Sequence, residues 1–322
     1  MSNVFDFPSL VWDAPIALYL FLLGISAGAV TITILLKRSG IAGENPAENA
    51  VLRCNAWLAP TTIIIGLLLL IFHLTKPWTF WYLMFNYHRT SIMSVGVMLF
   101  QLYMLFLIIW LAIIFKNNLF LFLYRFFPNV AKLTIKIIDL AAKFTNLIEI
   151  ITLLLSIALG AYTGFLLSAL ISYPMLNSPV LPVLFLVSGT SSGITALIFC
   201  TLLFSKEKSA TSSISIAFLH KYENPLVFAE IFLLFAFFFG LYLGGGQKTV
   251  AFYTALSGGF WASVFWIGVV GLGIIIPLLL NMIIKDETKH SKGFMLLHSG
   301  LGLLGVLCLR FFILYAGQMT LV

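Results

Sequence analysis

Eight apolar runs punctuate the chain, near 14 to 37, 55 to 75, 92 to 115, 145 to 170, 180 to 204, 225 to 244, 260 to 284 and 295 to 316. Each has about 20 residues, enough to cross roughly 30 Å of hydrocarbon as a helix. Barrel strands would show short period-two alternation, and none of the runs does. The pattern predicts an all-α integral membrane protein with eight transmembrane helices, here spans 1 to 8. Polar residues inside the runs are few. In the sixth, NPLVFAEIFLLFAFFFG, one carboxylate, Glu230, stands among apolar neighbours.

Composition agrees with the pattern. The 322 residues are 61% hydrophobic and 9% charged, against roughly 25% charged in soluble domains. Mean hydropathy is +1.09. Lipid takes the place of a large water-excluding core, so residues 1–322 read as a single membrane domain. No basic residue precedes Trp12, so span 1 lacks the basic n-region of a cleaved secretory signal and is expected to be retained.

The net charge of +7 is sorted by side. The connections after spans 1, 3, 5 and 7 carry Lys37, Arg38, Arg53, Lys116, Arg125, Lys132, Lys136, Lys143, Lys206, Lys208, Lys221, Lys285, Lys289 and Lys292, which are 14 of the 18 basic residues. Lys76, Arg89 and Lys248 lie opposite, and Arg310 falls inside span 8. The positive-inside rule then puts both termini outside the cytoplasm. The basic character reflects topology, and no nucleic-acid partner is implied. The connection 116 to 144 intersperses lysines with Ile and Leu, which fits an amphipathic helix at the lipid surface or a solvated helical extension.

Short strings recur. Gly24-Ile25-Ser26-Ala27-Gly28 in span 1 returns as Gly189-Thr190-Ser191-Ser192-Gly193 in span 5, and Tyr162-Thr163-Gly164 is echoed by Tyr315-Ala316-Gly317. The echoes predict two pseudo-repeated four-helix bundles, 14–170 and 180–316, in parallel orientation. Gly-x-Ser-x-Gly also matches the nucleophile elbow of serine hydrolases. That elbow needs a strand-turn-helix setting and a nearby base, so close helix packing through small residues is the expected role.

Redox metals are expected elsewhere. Of five His, His88, His220 and His290 fall in connections, His73 at the outer end of span 2 and His298 at the inner start of span 8. No pair at matching depth suggests haem ligation. Cys54, Cys200 and Cys308 are scattered, without C-x-x-C, so neither an iron–sulfur cluster nor another metal site is expected in this chain.

The segments LYLFLLGISAGAV, HLTKPWTFWYLMFNYHRTSIMSVG, LGAYTGFLL and FWIGVVGLGIIIP, with the late Arg310, resemble the NrfD/PsrC family, the quinone-interacting membrane subunits of periplasmic respiratory reductases. Within it the sequence looks most similar to the membrane subunit of polysulfide reductase. The resemblance implies two four-helix bundles without haem or metal, in the bacterial inner membrane with both termini periplasmic. It implies oxidation of menaquinol, with electrons passing to a periplasmic four-cluster iron–sulfur subunit and a molybdopterin catalytic subunit. Membrane lipid is the remaining partner. The acceptor would be polysulfide or thiosulfate, with nitrite, tetrathionate and arsenate complexes as alternatives. One departure stands out. Where Asp-Leu-Gly-[Arg/Lys]-Pro is expected at the end of span 2, the sequence has His73-Leu74-Thr75-Lys76-Pro77.

Depth along each helix sorts the remaining polar residues. Tyr19, His73, Tyr162 and Arg310 fall in the outer third. A quinone headgroup needs donors to its oxygens and a group that accepts protons from the quinol, which Tyr, His and Arg supply. Tyr19, His73 and Tyr162 are expected to contact it, with Arg310 biasing the field. Glu149, Glu230 and His298, with Asn224 and Asn281 at a similar level, form an inner group. Its role is either proton conduction or a structural polar cluster, such as a Glu230–His298 pair. Glu230 is expected about five residues, or roughly 8 Å, from the inner end of span 6, with Arg310 too near the opposite face to pair with it. A fixed charge at that depth is costly, which suits a group that takes up and returns protons. A secondary transporter is the rival function. It should interrupt paired helices at mid-membrane, whereas most prolines here fall near helix ends.

Overall fold

The computed structural model describes residues 5–74, 76–88, 90–204, 210–284 and 291–319. Thr75, Arg89, Lys206, Lys208, Lys285, Lys289 and His290, used above, lie outside the described residues. Eight helices are long and apolar enough to span a membrane: Ala14–Arg38, Ala50–His73, Ile92–Ile114, Thr145–Ser168, Leu181–Phe204, Ser213–Leu243, Phe260–Ile283 and Lys292–Met319. These are spans 1 to 8. Spans 1, 4, 5 and 8 pack together in the middle, with span 2 against spans 1 and 5, span 3 against span 4, span 6 against span 5 and span 7 against span 8.

Span 6 departs most from expectation. It starts at Ser213 rather than near 225, and the helix runs straight through Pro225. A proline removes one helical hydrogen bond, but the turns before it gain tertiary partners. Leu219 is buried in the core and Glu223 meets two histidines. His220, Lys221 and Asn224 are therefore helical, not loop residues. Beyond Pro225, Phe228, Phe232, Phe235 and Phe239 form an exposed stripe, while Glu230, Leu234, Phe237 and Leu241 face inward. That split is the one a lipid-facing helix requires.

Span 7 is α-helical over Phe260–Ser263, π-helical over Val264–Ile275, and α-helical again over Ile276–Ile283. On span 8, the backbone of Gly305 packs directly on Gly273 of the π segment.

The two Gly-x-Ser-x-Gly strings meet each other at the crossing of spans 1 and 5. A Cβ on Gly28 would stand 2.2 Å from the Gly189 carbonyl oxygen, and one on Gly193 would stand 2.3 Å from the Ala29 nitrogen. Ser26 Oγ donates to the Ala59 carbonyl at 2.9 Å, and Ser192 Oγ to the Gly189 carbonyl at 2.9 Å. The serines are helix-packing residues.

The two ends of the bundle differ. At one, Ser9 Oγ donates to the Gln318 carbonyl at 2.8 Å, and Val11 and Trp12 amides donate to Gln318 Oε1 at 2.9 Å each. N- and C-terminal segments thus meet at this terminal end. The opposite, basic end gathers Lys37, Arg38, Arg53 and Lys116. Here the 116 to 144 connection forms two packed helices, Lys116–Phe126 and Pro128–Ala142, joined by a Lys116–Asp139 ion pair.

Candidate functional site

At the terminal end, spans 1 to 4 surround a pocket of about 190 Å³ whose lining includes Trp12, Ile16, Tyr19, Leu70, His73, Met93, Phe100 and Tyr162. Tyr19, His73 and Tyr162, singled out by depth alone, come from three different spans and share this one pocket. Its lining has the character of a small-molecule site, apolar with a few converging polar groups. Phe100 stands edge-on to both tyrosines, with ring centroids 6.1 Å from Tyr19 and 5.7 Å from Tyr162. The Tyr162 phenol lies directly over Gly96, where a Cβ would come within 2.0 Å of its hydroxyl oxygen. Among the described residues, neither phenol makes a hydrogen bond, leaving both hydroxyls available to a guest. His73 Nδ1 lies 3.2 Å from Asp13 Oδ1, so a carboxylate reaches the end of span 2 from span 1.

Arg310 does not line this pocket. It is fully buried in span 8, where Nη2 donates to the Phe185 carbonyl at 3.2 Å and the guanidinium lies 3.7 Å from the centroid of the Phe185 ring. Its Nε and Nη1 have no hydrogen-bond partner. Its Nη2 would be 3.5 Å from a Cβ on Gly24, which puts it about 8 Å along span 1 from Tyr19.

A second, polar cavity of about 30 Å³ lies among spans 5 to 8, lined by Ser191, Thr195, Glu223, Glu230, Asn281 and His298, among others. It adjoins a larger opening at the basic end through Glu223, Asn224, Asn281 and His298, which line both. Glu223 Oε2 is hydrogen-bonded to His220 Nδ1 at 2.8 Å, and its Oε1 lies 3.4 Å from His298 Nδ1 without a hydrogen bond. His298 Nε2 lies 3.3 Å from Asn281 Nδ2.

Several expectations about depth and grouping are corrected. Glu230 is deeper than expected: because span 6 starts at Ser213, it stands roughly 20 Å from the terminal end of the helix and about 26 Å from the other. Arg310 acts on it electrostatically, but among the described residues the two make no direct ion pair. Glu149 does not belong with Glu230. It is held at the basic end of spans 1 to 4 by Lys37, by Arg38 at 4.0 Å and by Trp110 Nε1, which donates to it at 3.3 Å. The expected Glu230–His298 pair is replaced by Glu223–His298. His220 and His298, expected at different levels, lie with ring centroids 6.5 Å apart, with Glu223 hydrogen-bonded to His220 and 3.4 Å from His298. Cys54 and Cys200, far apart in sequence, are neighbouring thiols between spans 2 and 5.

Sequence reasoning missed Asp13, Gly96, Phe100 and Glu223. A signal existed for Glu223: His220 and Glu223 at i, i+3 share a helix face once the helix is extended past the proline.

Eight spans, with an apolar pocket between spans 1 to 4 and a polar cavity among spans 5 to 8, define a multi-pass helical membrane protein. Comparison with known proteins narrows the class. The chain belongs to the NrfD family, since the family model described as Polysulphide reductase, NrfD, matches residues 2–322. It is 54% identical over 316 residues to the Protein NrfD homolog of Haemophilus influenzae, covering 98% of this sequence and 97% of the relative. It is 50% identical over 321 residues to Protein NrfD of Escherichia coli, covering 99% and 98%. Identity to the C subunit of polysulfide reductase from Wolinella succinogenes is 40% over 322 residues, covering 98% and 97%.

Proposed function

We propose that the protein is the quinone-binding membrane anchor of a respiratory reductase complex, oxidising menaquinol in the terminal-end pocket and passing electrons to a periplasmic iron–sulfur subunit. The observation that carries the reading is the convergence of Tyr19, His73 and Tyr162 on one pocket of suitable chemical character. The phenols hydrogen-bond the headgroup oxygens and His73 accepts a proton. The iron–sulfur subunit docks at the terminal end, on the periplasmic side of the inner membrane, and relays electrons to a molybdopterin catalytic subunit. Basic residues gathered at the opposite end support this orientation. A relative named as a component of polysulfide reductase supports a subunit role. Polysulfide or thiosulfate is the acceptor on this reading. Higher identity to the two NrfD proteins favours a second version, in which the same subunit serves an NrfD-type complex such as one reducing nitrite.

The inner group has a part in this reading. Glu230, reached from the basic end through Glu223, His298 and Asn281, exchanges protons with the cytoplasm, and Arg310 sets its field. The transporter reading gains some support from the π segment of span 7. A transporter of this repeat type would interrupt paired segments, however, and span 3, the expected counterpart, is regular α-helix over Ile92–Ile114.

The test is Tyr162→Phe in the purified complex. Loss of one hydrogen bond to the headgroup should slow quinol oxidation about tenfold, while the catalytic subunit keeps full activity with an artificial dye donor. Unchanged quinol turnover removes Tyr162 from the site, and purification without an iron–sulfur subunit sinks the assignment.

A further inference from the structure

Asp13 precedes span 1 in the N-cap position, where an aspartate ordinarily accepts a hydrogen bond from the amides of the first turn. Here its side chain makes no such bond, and Pro15, which has no N–H, occupies the first turn. The capping role is met instead by backbone, as the Ile16 amide donates to the Asp13 carbonyl at 3.1 Å. The carboxylate is thereby released, and it turns to His73 of span 2, with Oδ1 3.2 Å from Nδ1. Oδ1 is buried and has no aligned hydrogen bond, although the Asp13 side chain as a whole is 43% exposed. Close but unaligned contacts are common in proton-transfer groups before substrate binds. The carboxylate thus touches the imidazole on one side and water at the terminal end on the other. His73 lines the pocket with Tyr19 and Tyr162.

We propose that Asp13 is the positioning residue for His73, and that the pair accepts the proton released when quinol is oxidised and delivers it to water at the terminal end. The proposal rests on the quinol reading of the pocket. A proton on Nδ1 directed at Asp13 fixes the tautomer in which Nε2 carries the lone pair. Nε2 then takes the proton as a quinol O–H bond breaks, while one electron leaves for the iron–sulfur acceptor of the partner subunit. The resulting imidazolium is stabilised by the Asp13 carboxylate and returns its proton to water beside it, restoring the starting state. The second quinol proton follows by the same route as the second electron departs.

The experiment uses the whole complex, with a soluble menaquinol analogue as donor. Asp13→Asn keeps the shape and removes the charge. The expected result is a fall in kcat of tenfold or more, with KM and binding of a quinone-site inhibitor within twofold of wild type and dye-donor activity unchanged. Asp13→Glu should recover most of the loss. Wild-type kcat in Asp13→Asn, or a raised KM at unchanged kcat, overturns the proposal. Should Asp13→Asn fail to assemble, Asp13→Ser is judged by the same outcomes. Failure of the quinol reading itself is seen separately, as a wild-type complex that neither oxidises the analogue nor binds the inhibitor.

Discussion

Gly96→Ala separates the placement of the Tyr162 hydroxyl from its presence. A Cβ at position 96 would stand 2.0 Å from both Oη and Cζ of Tyr162 and 2.6 Å from Cε2. A carbon and an oxygen in ordinary contact sit about 3.3 Å apart, so the phenol must retreat by more than ~1 Å. Backbone at position 96 is regular helix within Ile92–Ile114, where alanine is the better residue by roughly 0.5–1 kcal/mol. The helix itself therefore loses nothing, and the displacement falls on the ring, which Phe100 blocks from one side. Misplacing a reacting group by about 1 Å costs on the order of 100-fold in rate. Quinol oxidation should fall by that order while assembly, thermal stability and dye-donor activity stay at wild-type levels. In Tyr162→Phe background the alanine should add far less, since its target hydroxyl is already gone. Full quinol turnover in Gly96→Ala would refute the placement of Tyr162 at the reacting atoms, and an equal extra loss in the double mutant would show that the alanine acts through something else.

Two further predictions concern the middle of the bundle. Glu230→Gln preserves shape and most hydrogen bonding but cannot titrate, so the complex should assemble normally and lose most quinol-linked turnover or its coupling to membrane potential. Full coupled activity in the Gln variant, with poor assembly of Glu230→Leu, would leave only a structural role. Gly28→Ala puts a methyl 2.2 Å from the Gly189 carbonyl oxygen and 2.7 Å from Thr190 Cα. Overpacking of this kind costs about 1–3 kcal/mol, and an unchanged melting temperature for the complex would disprove the tight crossing of spans 1 and 5.

Depth along a helix is legible in the sequence, because each residue adds a fixed rise and the apolar boundaries mark the membrane edges. That is why Tyr19, His73 and Tyr162 group together without knowledge of the fold. Lateral position is not legible. Glu149 and Glu230 share an inner level by sequence, yet one is tied to Lys37 and Trp110 in spans 1 to 4 and the other lines a cavity in spans 5 to 8. Nothing in a single sequence says which helix faces which. Where an edge is misread, depth fails too. Pro225 and the polar residues before it mark a helix start by local chemistry, but tertiary partners for Leu219 and Glu223 override it, and Glu230 moves toward mid-membrane as a result. Asp13 is hidden for the opposite reason. It looks like an ordinary cap, and only its contact with His73 shows that the cap is not used.

The two halves of the bundle are filled in opposite ways, and this bears on how the proposed chemistry could be coupled across the membrane. At the terminal end spans 1 to 4 enclose the pocket, whereas the same end of spans 7 and 8 is packed with aromatic rings. Trp261 stacks on Tyr315 at 4.5 Å and Phe265 lies 4.8 Å from Phe312. At the basic end Lys37, Glu149 and Trp110 fill the space between spans 1, 3 and 4, a groove remains between spans 2 and 3, and the polar cavity opens among spans 6 to 8. The two spaces are therefore diagonal to each other. Between them lies the crossing of spans 1 and 5, where Gly24 and Gly189 leave no room for water, and beside it the Arg310 guanidinium. A fixed positive charge there opposes direct passage of a proton from one space to the other. On the proposed reading, the pocket exchanges protons with the terminal end and Glu230 with the basic end. On the same reading Arg310, beside this crossing, with two nitrogens free of hydrogen bonds and Glu230 within its field, is placed to respond to a charge change in either space.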